Sequence, residues 1–492
     1  MIYSKILFSL ECILILLEYD WIRCYILSRK VKKLYSIKKK PRLLLINPWI
    51  YDFTAYDFWS KPLGLLSVAS LLRKMGYQID FIDCMDRYDK ELLKIQNRIS
   101  PENNQDGTGP FYKTNIPKPA ILQHIPRNYS RYGMTEDIFC EKIKQIKKPD
   151  AVLVTSIMTY WYPGVFRVIE LVKKHFPDCP VILGGIYATL CYEHAVNLSG
   201  ADFVLKNHQV LDLARLLKDV SGIEMNQAIL NDNFSAFSSF PFPAWDLYSD
   251  LDYICLITSR GCPFRCSYCA SYLINPYLEF RSPSCVVEEI VRWKEEKGVQ
   301  HFVFYDDALL VNAKLNFIPF MEMLKKRNLN INFHTPNALH ANLITDPIAQ
   351  LMLENGFKRI WLGFETADDE LQKTTGGKID NPGFTKAVDI LLKSGFSNEQ
   401  ICAYVLVGLP GQSFKSVLDS VFFVMDTGIK PYLAKFSPIP GTKIWGKAIE
   451  EYRLQEPVDP LLHNDALMPY NSPDINPQKY YQVKALIQDF KG

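Results

Sequence analysis

Along most of the chain, short apolar runs alternate with longer stretches whose apolar positions recur at helical spacing, the pattern of repeated strand–helix units. In the first such block, residues 41–225, the pattern predicts strands at 43–46, 78–82, 151–155, 181–183 and 202–205. Helices follow at 63–75, 165–175 and 210–217, the first stopping at Gly76. A polar excursion with Pro and Gly, 100–133, interrupts the series. Alternation of this kind gives an α/β domain with a doubly wound parallel sheet, Rossmann-like, that binds ligands at its carboxyl edge. In a second block, residues 251–447, strands are predicted at 254–258, 301–305, 331–334, 359–363, 402–407 and 433–436. Helices are predicted at 284–297, 313–326, 346–354, 382–393 and 414–425. Six strand–helix units make a partial (βα)6, TIM-like barrel, whose chemistry belongs on the loops after the strands.

The segments outside these blocks read differently. Residues 226–250 form a linker: its Ser-, Phe- and Pro-rich part, 231–248, has no period of 2 or 3.6, and its apolar residues predict packing across both domains. A C-terminal extension, 448–492, carries Pro457, Pro460, Pro469 and Pro473 before a final helix at 477–490, and could close the open side of the barrel. Residues 1–40 combine an apolar helix with a basic linker. The apolar run 6–17, broken by Ser9, Glu11 and Cys12, is shorter than the roughly 20 residues needed to cross a bilayer, and lacks a small-residue cleavage site. A docking helix is the expectation. The basic residues from Arg29 to Arg42 could hold an anionic membrane surface, but a solvated linker is the preferred reading.

Composition narrows the class. With 492 residues, 48% hydrophobic and 22% charged, the chain is an ordinary globular protein too long for one core. A net charge of +3 gives no ground for a nucleic-acid partner. Twelve cysteines without a paired framework indicate a reducing compartment, and the expected localisation is cytoplasmic.

Candidate chemistry is concentrated just after the first barrel strand. Cys262, Cys266 and Cys269 form a C-x3-C-x2-C run on the loop at that strand's carboxyl end. A [4Fe–4S] cluster takes one thiolate per iron, so three close thiolates leave one iron open to a ligand. Structural zinc is the main alternative, but it favours four ligands in separated pairs, and no second C-x2-C or H-x3-H follows. Polar residues at the other strand ends are the next candidates: Asp306 and Asp307, His334, Glu365, and the turn Gly408-Leu409-Pro410-Gly411. Asp307 could equally cap a loop, and His334 is read as a core histidine. In the first domain, the pair Gly184-Gly185 ends a strand. It suits a tight turn with no ligand or a close approach to a flat ring.

The run from Cys262 to Cys269, with Tyr268 before the last cysteine, resembles the signature of the radical S-adenosylmethionine (SAM) enzymes. That resemblance implies a [4Fe–4S] cluster on Cys262, Cys266 and Cys269, with SAM on the open iron and cleaved by one electron to a 5′-deoxyadenosyl radical. It further implies SAM contacts from Tyr268, Asp306, Glu365, Gly408 and Pro410, and a closing loop at 436–442. The stretches 61–77, 149–156 and 181–185 look like the cobalamin-binding domain that precedes the SAM domain in class B radical SAM proteins. Cobalamin contacts are then implied for Pro48, Leu63, Gly64, Ser156, Gly184 and Gly185. Two departures stand out. There is no Asp-x-His-x-x-Gly, so a His ligand to cobalt is not expected, and Lys206-Asn207-His208-Gln209 replaces the group's Gly-Glu turn. The combined expectation is a cobalamin-dependent radical SAM methyltransferase acting on an unactivated carbon of a small molecule, with flavodoxin or ferredoxin as one-electron reductant. A cyclase, rearrangement or other C–C bond-forming enzyme without methyl transfer is the alternative, and a non-catalytic iron–sulfur or corrinoid sensor a third. No catalytic residue is identified from the sequence.

Overall fold

The computed structural model describes residues 40–207, 210–221 and 237–490. The apolar and basic N-terminal stretch, His208-Gln209 and the start of the linker lie outside the described residues.

The first sheet contains β1 (Arg42–Asn47), β2 (Gln78–Asp83), β3 (Ala151–Val154), β4 (Val181–Leu183) and β5 (Phe203–Val204). All pairs are parallel and the order is β5-β4-β3-β1-β2, the expected doubly wound arrangement. The reason is legible in β1. Leu43 and Leu45 pack on one face with Leu65, Ala69 and Leu72 of the helix Leu63–Lys74. Leu44 and Ile46 pack on the other with Val165, Val168 and Val172 of the helix Tyr162–His175. A strand buried on both faces must be apolar throughout, which is the signature of a parallel sheet covered by helices. The chain winds about a switch point between β1 and β3, and the loops after these two strands border the crevice where such sheets bind ligands.

The second sheet runs β6 (Tyr253–Leu256), β7 (His301–Phe304), β8 (Asn332–His334), β9 (Phe357–Glu365), β10 (Ile401–Val407) and β11 (Lys430–Lys435), again in sequence order and parallel. A short strand, Leu339–His340, adds to the edge of β9 beside Leu362 and Gly363. Two predicted boundaries shift in a way that matters. β9 reaches Glu365, so this residue ends the strand instead of following it, and the helix expected at 313–326 is Phe317–Arg327, preceded by turns.

The domains share one apolar core. Trp59, Leu63 and Leu66 from the first domain and Trp245 and Tyr248 from the linker belong to the same buried cluster as Ile254, Phe302 and Leu362 of the barrel. The linker is tied back by Ala244 N–H to Leu66 C=O (3.1 Å) and by Arg73 to Asp246. The polar excursion and the residues after β1 together hold small antiparallel ribbons. Ile50–Asp52 and Lys113–Asn115 flank Ser130–Tyr132, while Tyr56–Asp57 pairs with Gly109–Pro110. Their tip drives Trp59 into the barrel, where its ring lies 4.5 Å from that of His334 and its carbonyl accepts the Tyr305 hydroxyl. The C-terminal extension does more than flank the barrel. Its final helix, Pro477–Asp489, packs on β11, but Asn464 donates to buried Asp52 (2.8 Å), and Tyr162 donates to Asp459 (3.1 Å), binding the extension to the first domain. No helix among the described residues is long and apolar enough to cross a membrane.

Candidate active site

The cysteine loop begins where β6 ends. Asp306, just after β7, anchors it: its carboxylate accepts from Thr258 N–H (3.0 Å), Thr258 Oγ1 (2.7 Å), Ser259 N–H (2.5 Å) and Ser259 Oγ (2.7 Å). Its oxygens are committed to the loop, which gives Asp306 a strut's role. From there the short antiparallel pair of Ser259–Arg260 with Glu279–Phe280 closes the loop at its base. Cys266 is buried, while Cys262 and Cys269 are partly exposed. Burial pushes the Cys262 thiol up to about 11 and raises Cys266 and Cys269 as well, with Lys378 opposing the rise at both of the latter. Ser271 N–H donates to the Cys269 sulfur (3.5 Å). Among the described residues, no three His, Cys, Asp or Glu side chains converge on one ion position. A cluster takes one thiolate per iron, so its ligands need not converge on one point.

Behind the loop, the chain after β9 forms the site's floor. Glu365 is 9% exposed and holds a φ of +72°, a conformation costly for a residue with a Cβ, at a β-bulge against β10. Its Oε1 is 2.6 Å from Lys378 Nζ. Burial alone would pull Lys378 down, but Glu365 and Cys266 carry it above its usual value. Gly376, with φ +141°, lies against Cys266: a Cβ there would stand 3.0 Å from the Cys266 Cα and 3.2 Å from its sulfur. Cys266, Tyr268, Glu365, Gly376, Gly377 and Lys378 line one small cavity.

Tyr268 packs with Leu406, Leu409, Phe436 and Ala448, an apolar group at the ends of β10 and β11. The Gly408 turn is covered instead of open. Gln412 Oε1 accepts from Gly408 N–H (2.8 Å), Tyr452 donates to the Gly408 carbonyl, and Lys447 donates to Pro410 C=O (2.9 Å). A side chain at Gly408 would strike Met468. His334 is buried, hydrogen-bonded to His301 (2.9 Å) and packed at a tilt against the Trp59 ring, and its pKa falls to about 3 through desolvation, then His301. It is a core histidine, as expected. Asp307 stays near Cys262 and Cys269, its carboxyl raised by burial and opposed by Ser271 and Asn275.

Sequence reasoning missed His340, Gly376 and Lys378. His340 packs at a tilt against the Phe264 ring of the cysteine loop (4.3 Å), and its Nδ1 is buried without a partner. The Gly376-Gly377 pair was the one available signal, a chain reversal after a helical stretch. The residues present fit a cluster with a polar ligand. They supply three thiols, and Ser267 Oγ, Thr335 Oγ1 and His340 Nδ1 are buried polar atoms with no protein partner near the barrel mouth.

In the first domain, Ser156, Gly184 and Gly185 come together. Ser156 Oγ donates to Gly184 C=O (2.7 Å), and Gly185 (φ +96°) sits where a Cβ would be 2.2 Å from Ser156 O. Gly184 keeps an open face, with Leu205 O at 3.9 Å the nearest atom, and Gly64 has nothing within 4 Å. These bare backbones fit a flat ligand. Pro48 and Leu63, in contrast, are buried, Leu63 in the shared interdomain core. The helix Ile186–Leu190, which starts at Gly185, packs against the helix Ser271–Ile274, which starts just after Cys269. The ligand edge of one domain therefore meets the cysteine loop of the other.

Comparison with known proteins bears on this geometry. Residues 256–424 match the profile of the radical SAM superfamily. The chain is 25% identical to an uncharacterized methyltransferase of Pyrococcus horikoshii over 64% of this chain and 74% of that one. It is also 25% identical to the anaerobic magnesium-protoporphyrin IX monomethyl ester cyclase of Rubrivivax gelatinosus, over 60% of this chain and 57% of the cyclase. In fold it resembles the radical SAM methyltransferase TsrM of Kitasatospora setae, solved with cobalamin and a [4Fe–4S] cluster. That likeness has a TM-score of 0.64 at 13% identity and covers 91% of both chains.

Proposed function

This chain is a radical SAM enzyme, and on that premise we propose that it is a cobalamin-dependent methyltransferase acting on an unactivated carbon of a small molecule. The observation that carries the reading is the contact between the helices Ile186–Leu190 and Ser271–Ile274, which brings the bare-backbone edge at Gly184 next to the loop of Cys262, Cys266 and Cys269. When bound, the cluster and SAM supply a carbon radical and the corrinoid a transferable methyl group. The chain's own residues bind, orient and seal. Cys262, Cys266 and Cys269 are the cluster's ligands, and Asp306 holds their loop to the end of β7. Glu365 offers an acceptor to the amino and hydroxyl donors of SAM, and the apolar group around Tyr268, Leu406 and Phe436 excludes water beside it. Ser156 and the open face of Gly184 let a flat ring approach the backbone. The extension carrying Asn464 and Asp459 fixes both domains in one arrangement, so the distance between the two edges is set by packing.

The test is anaerobic reconstitution with iron, sulfide and hydroxocobalamin, a count of iron and cobalt per chain, then incubation with SAM, reductant and candidate substrates. Methyl transfer yields S-adenosylhomocysteine together with 5′-deoxyadenosine. The likeness to a magnesium-protoporphyrin cyclase supports the second reading, in which 5′-deoxyadenosine forms without S-adenosylhomocysteine. A cluster-loaded chain that forms neither product refutes both.

A further inference from the structure

We infer that the outer face of the cysteine loop is the docking surface for an acidic protein that delivers single electrons, with Arg265, Lys443 and Tyr277 as its contacts. The inference rests on the proposed cluster at the three thiols. Cleaving SAM consumes one electron, and electron transfer weakens steeply with distance, so a donor must come close to the thiols. Cys262 and Cys269 are partly exposed, which makes the loop itself the point of approach. Three side chains surround it. Arg265 is exposed next to buried Cys266, and its guanidinium lies 5.2 Å from the centre of the Tyr272 ring. The Tyr272 hydroxyl donates to Gly441 C=O (3.0 Å), and Ile444 N–H donates to Ser267 C=O (3.1 Å). Exposed Lys443, between these two anchors, is thereby held beside the loop. On the other side Tyr277 C=O lies so close to Gly261 that a Cβ there would be 2.2 Å away, which places Tyr277, 77% exposed, next to Cys262.

The two cations are free to act on a partner. Among the described residues neither Arg265 nor Lys443 pairs with a carboxylate, whereas nearby Arg260 and Lys373 are matched by Glu279 and Glu370. Unpaired cations attract a negatively charged donor, and the exposed tyrosine gives it an apolar contact. Tyr and Arg are enriched where proteins meet, and redox partners use small interfaces of this kind. The step balances simply. One electron leaves the donor's reduced centre and enters the cluster, and no bond forms or breaks.

The experiment is stopped-flow reduction of the anaerobically reconstituted full chain, followed by the colour change of the donor. The donors are flavodoxin hydroquinone, an acidic protein, and methyl viologen radical, a small cation. Wild type is compared with Lys443→Glu, Tyr277→Ala and the double variant Arg265→Glu/Lys443→Glu. At low ionic strength the double reversal should slow flavodoxin roughly tenfold or more, and Lys443→Glu less. Near 1 M salt, where the screening length is about 3 Å, wild type and the charge variants should converge. Tyr277→Ala should slow flavodoxin at every salt concentration, and methyl viologen should reduce all variants at the wild-type rate or faster. Charge variants that match wild type with flavodoxin at low salt overturn the inference. So does an equal loss of rate with methyl viologen, which reports a changed cluster and not a changed surface. If the double variant holds no iron, Lys443→Glu and Tyr277→Ala decide, and wild-type rates in both overturn it. A wild-type chain that binds no iron refutes the cluster reading instead, before any variant is compared.

Discussion

Asp306 gives the sharpest test of how the cysteine loop is held. Its carboxylate receives two backbone N–H groups and two hydroxyls from Thr258 and Ser259 at 2.5 to 3.1 Å, and it is 3% exposed. In Asp306→Ala the hydroxyls can rotate to other acceptors, but the two N–H groups cannot. Each buried donor left without a partner costs about 1–3 kcal/mol, so the variant should lose roughly 2–6 kcal/mol. For a domain of some 200 residues, at about 2–4 °C per kcal/mol, this is a fall of roughly 4–24 °C in Tm. Asp306→Asn should behave differently. One oxygen, Oδ1, takes four of the contacts, and an amide oxygen can accept the same donors, so only charge assistance is lost, about 1 kcal/mol. The assay is thermal unfolding of the reduced, cluster-free chain by tryptophan fluorescence, paired with equilibrium dialysis of SAM on the reconstituted protein. An Asp306→Ala chain that melts with wild type removes the strut. So does an Asp306→Asn chain of wild-type stability that no longer binds SAM, which would make Asp306 a direct ligand.

Further outcomes follow from other contacts. Gly376→Ala must fit a Cβ 3.0 Å from the Cys266 Cα in a backbone conformation that resists it, so reconstituted iron per chain should fall sharply while cobalamin retention stays unchanged. Gly185→Ala meets Ser156 O at 2.2 Å with φ at +96°, and should cost roughly 2–4 kcal/mol in chemical denaturation as well as weakening any corrinoid binding. Asp52, driven by burial from 3.8 to about 6, binds its proton more tightly folded than unfolded. Between about pH 4 and 6 the folded state therefore holds more protons, and stability falls as pH rises through that window, by at most about 3 kcal/mol. Asp52→Asn should flatten this slope in denaturant titrations run across the window.

The parts of this protein that could be read from its sequence are those written in adjacent residues. The three cysteines share one loop, the leucines of β1 announce a strand covered on both faces, and Gly184-Gly185 marks its turn without help from the rest of the chain. Residues whose surroundings depend on distant partners were harder to read, or were missed. Lys378 meets Glu365 across 13 residues only because the helix Asp369–Thr375 and the Gly376-Gly377 reversal return the chain. Asp306 sits at the expected strand end, yet its partners were already supplied from the neighbouring strand's loop. Pro48 and Leu63 lie at the expected edge but face inward, which a pattern of apolar residues cannot distinguish from a lining role. The ribbons at 50–57 and 109–132 escaped because strands of two or three residues carry too few alternations to register as a period.

Trp59 inside the barrel has a consequence for how the chain can be made. The first domain leaves the ribosome well before β6 exists, with Trp59, Leu63 and Leu66 still lacking the surface that will cover them. A barrel expressed from residue 251 onward would have the converse defect, an unfilled interior at His334 and a Tyr305 hydroxyl with no Trp59 carbonyl to receive it. Neither half is a free-standing module. Dissecting this enzyme by truncation would yield two aggregation-prone fragments, and its cofactor chemistry has to be studied by point substitution in the intact chain.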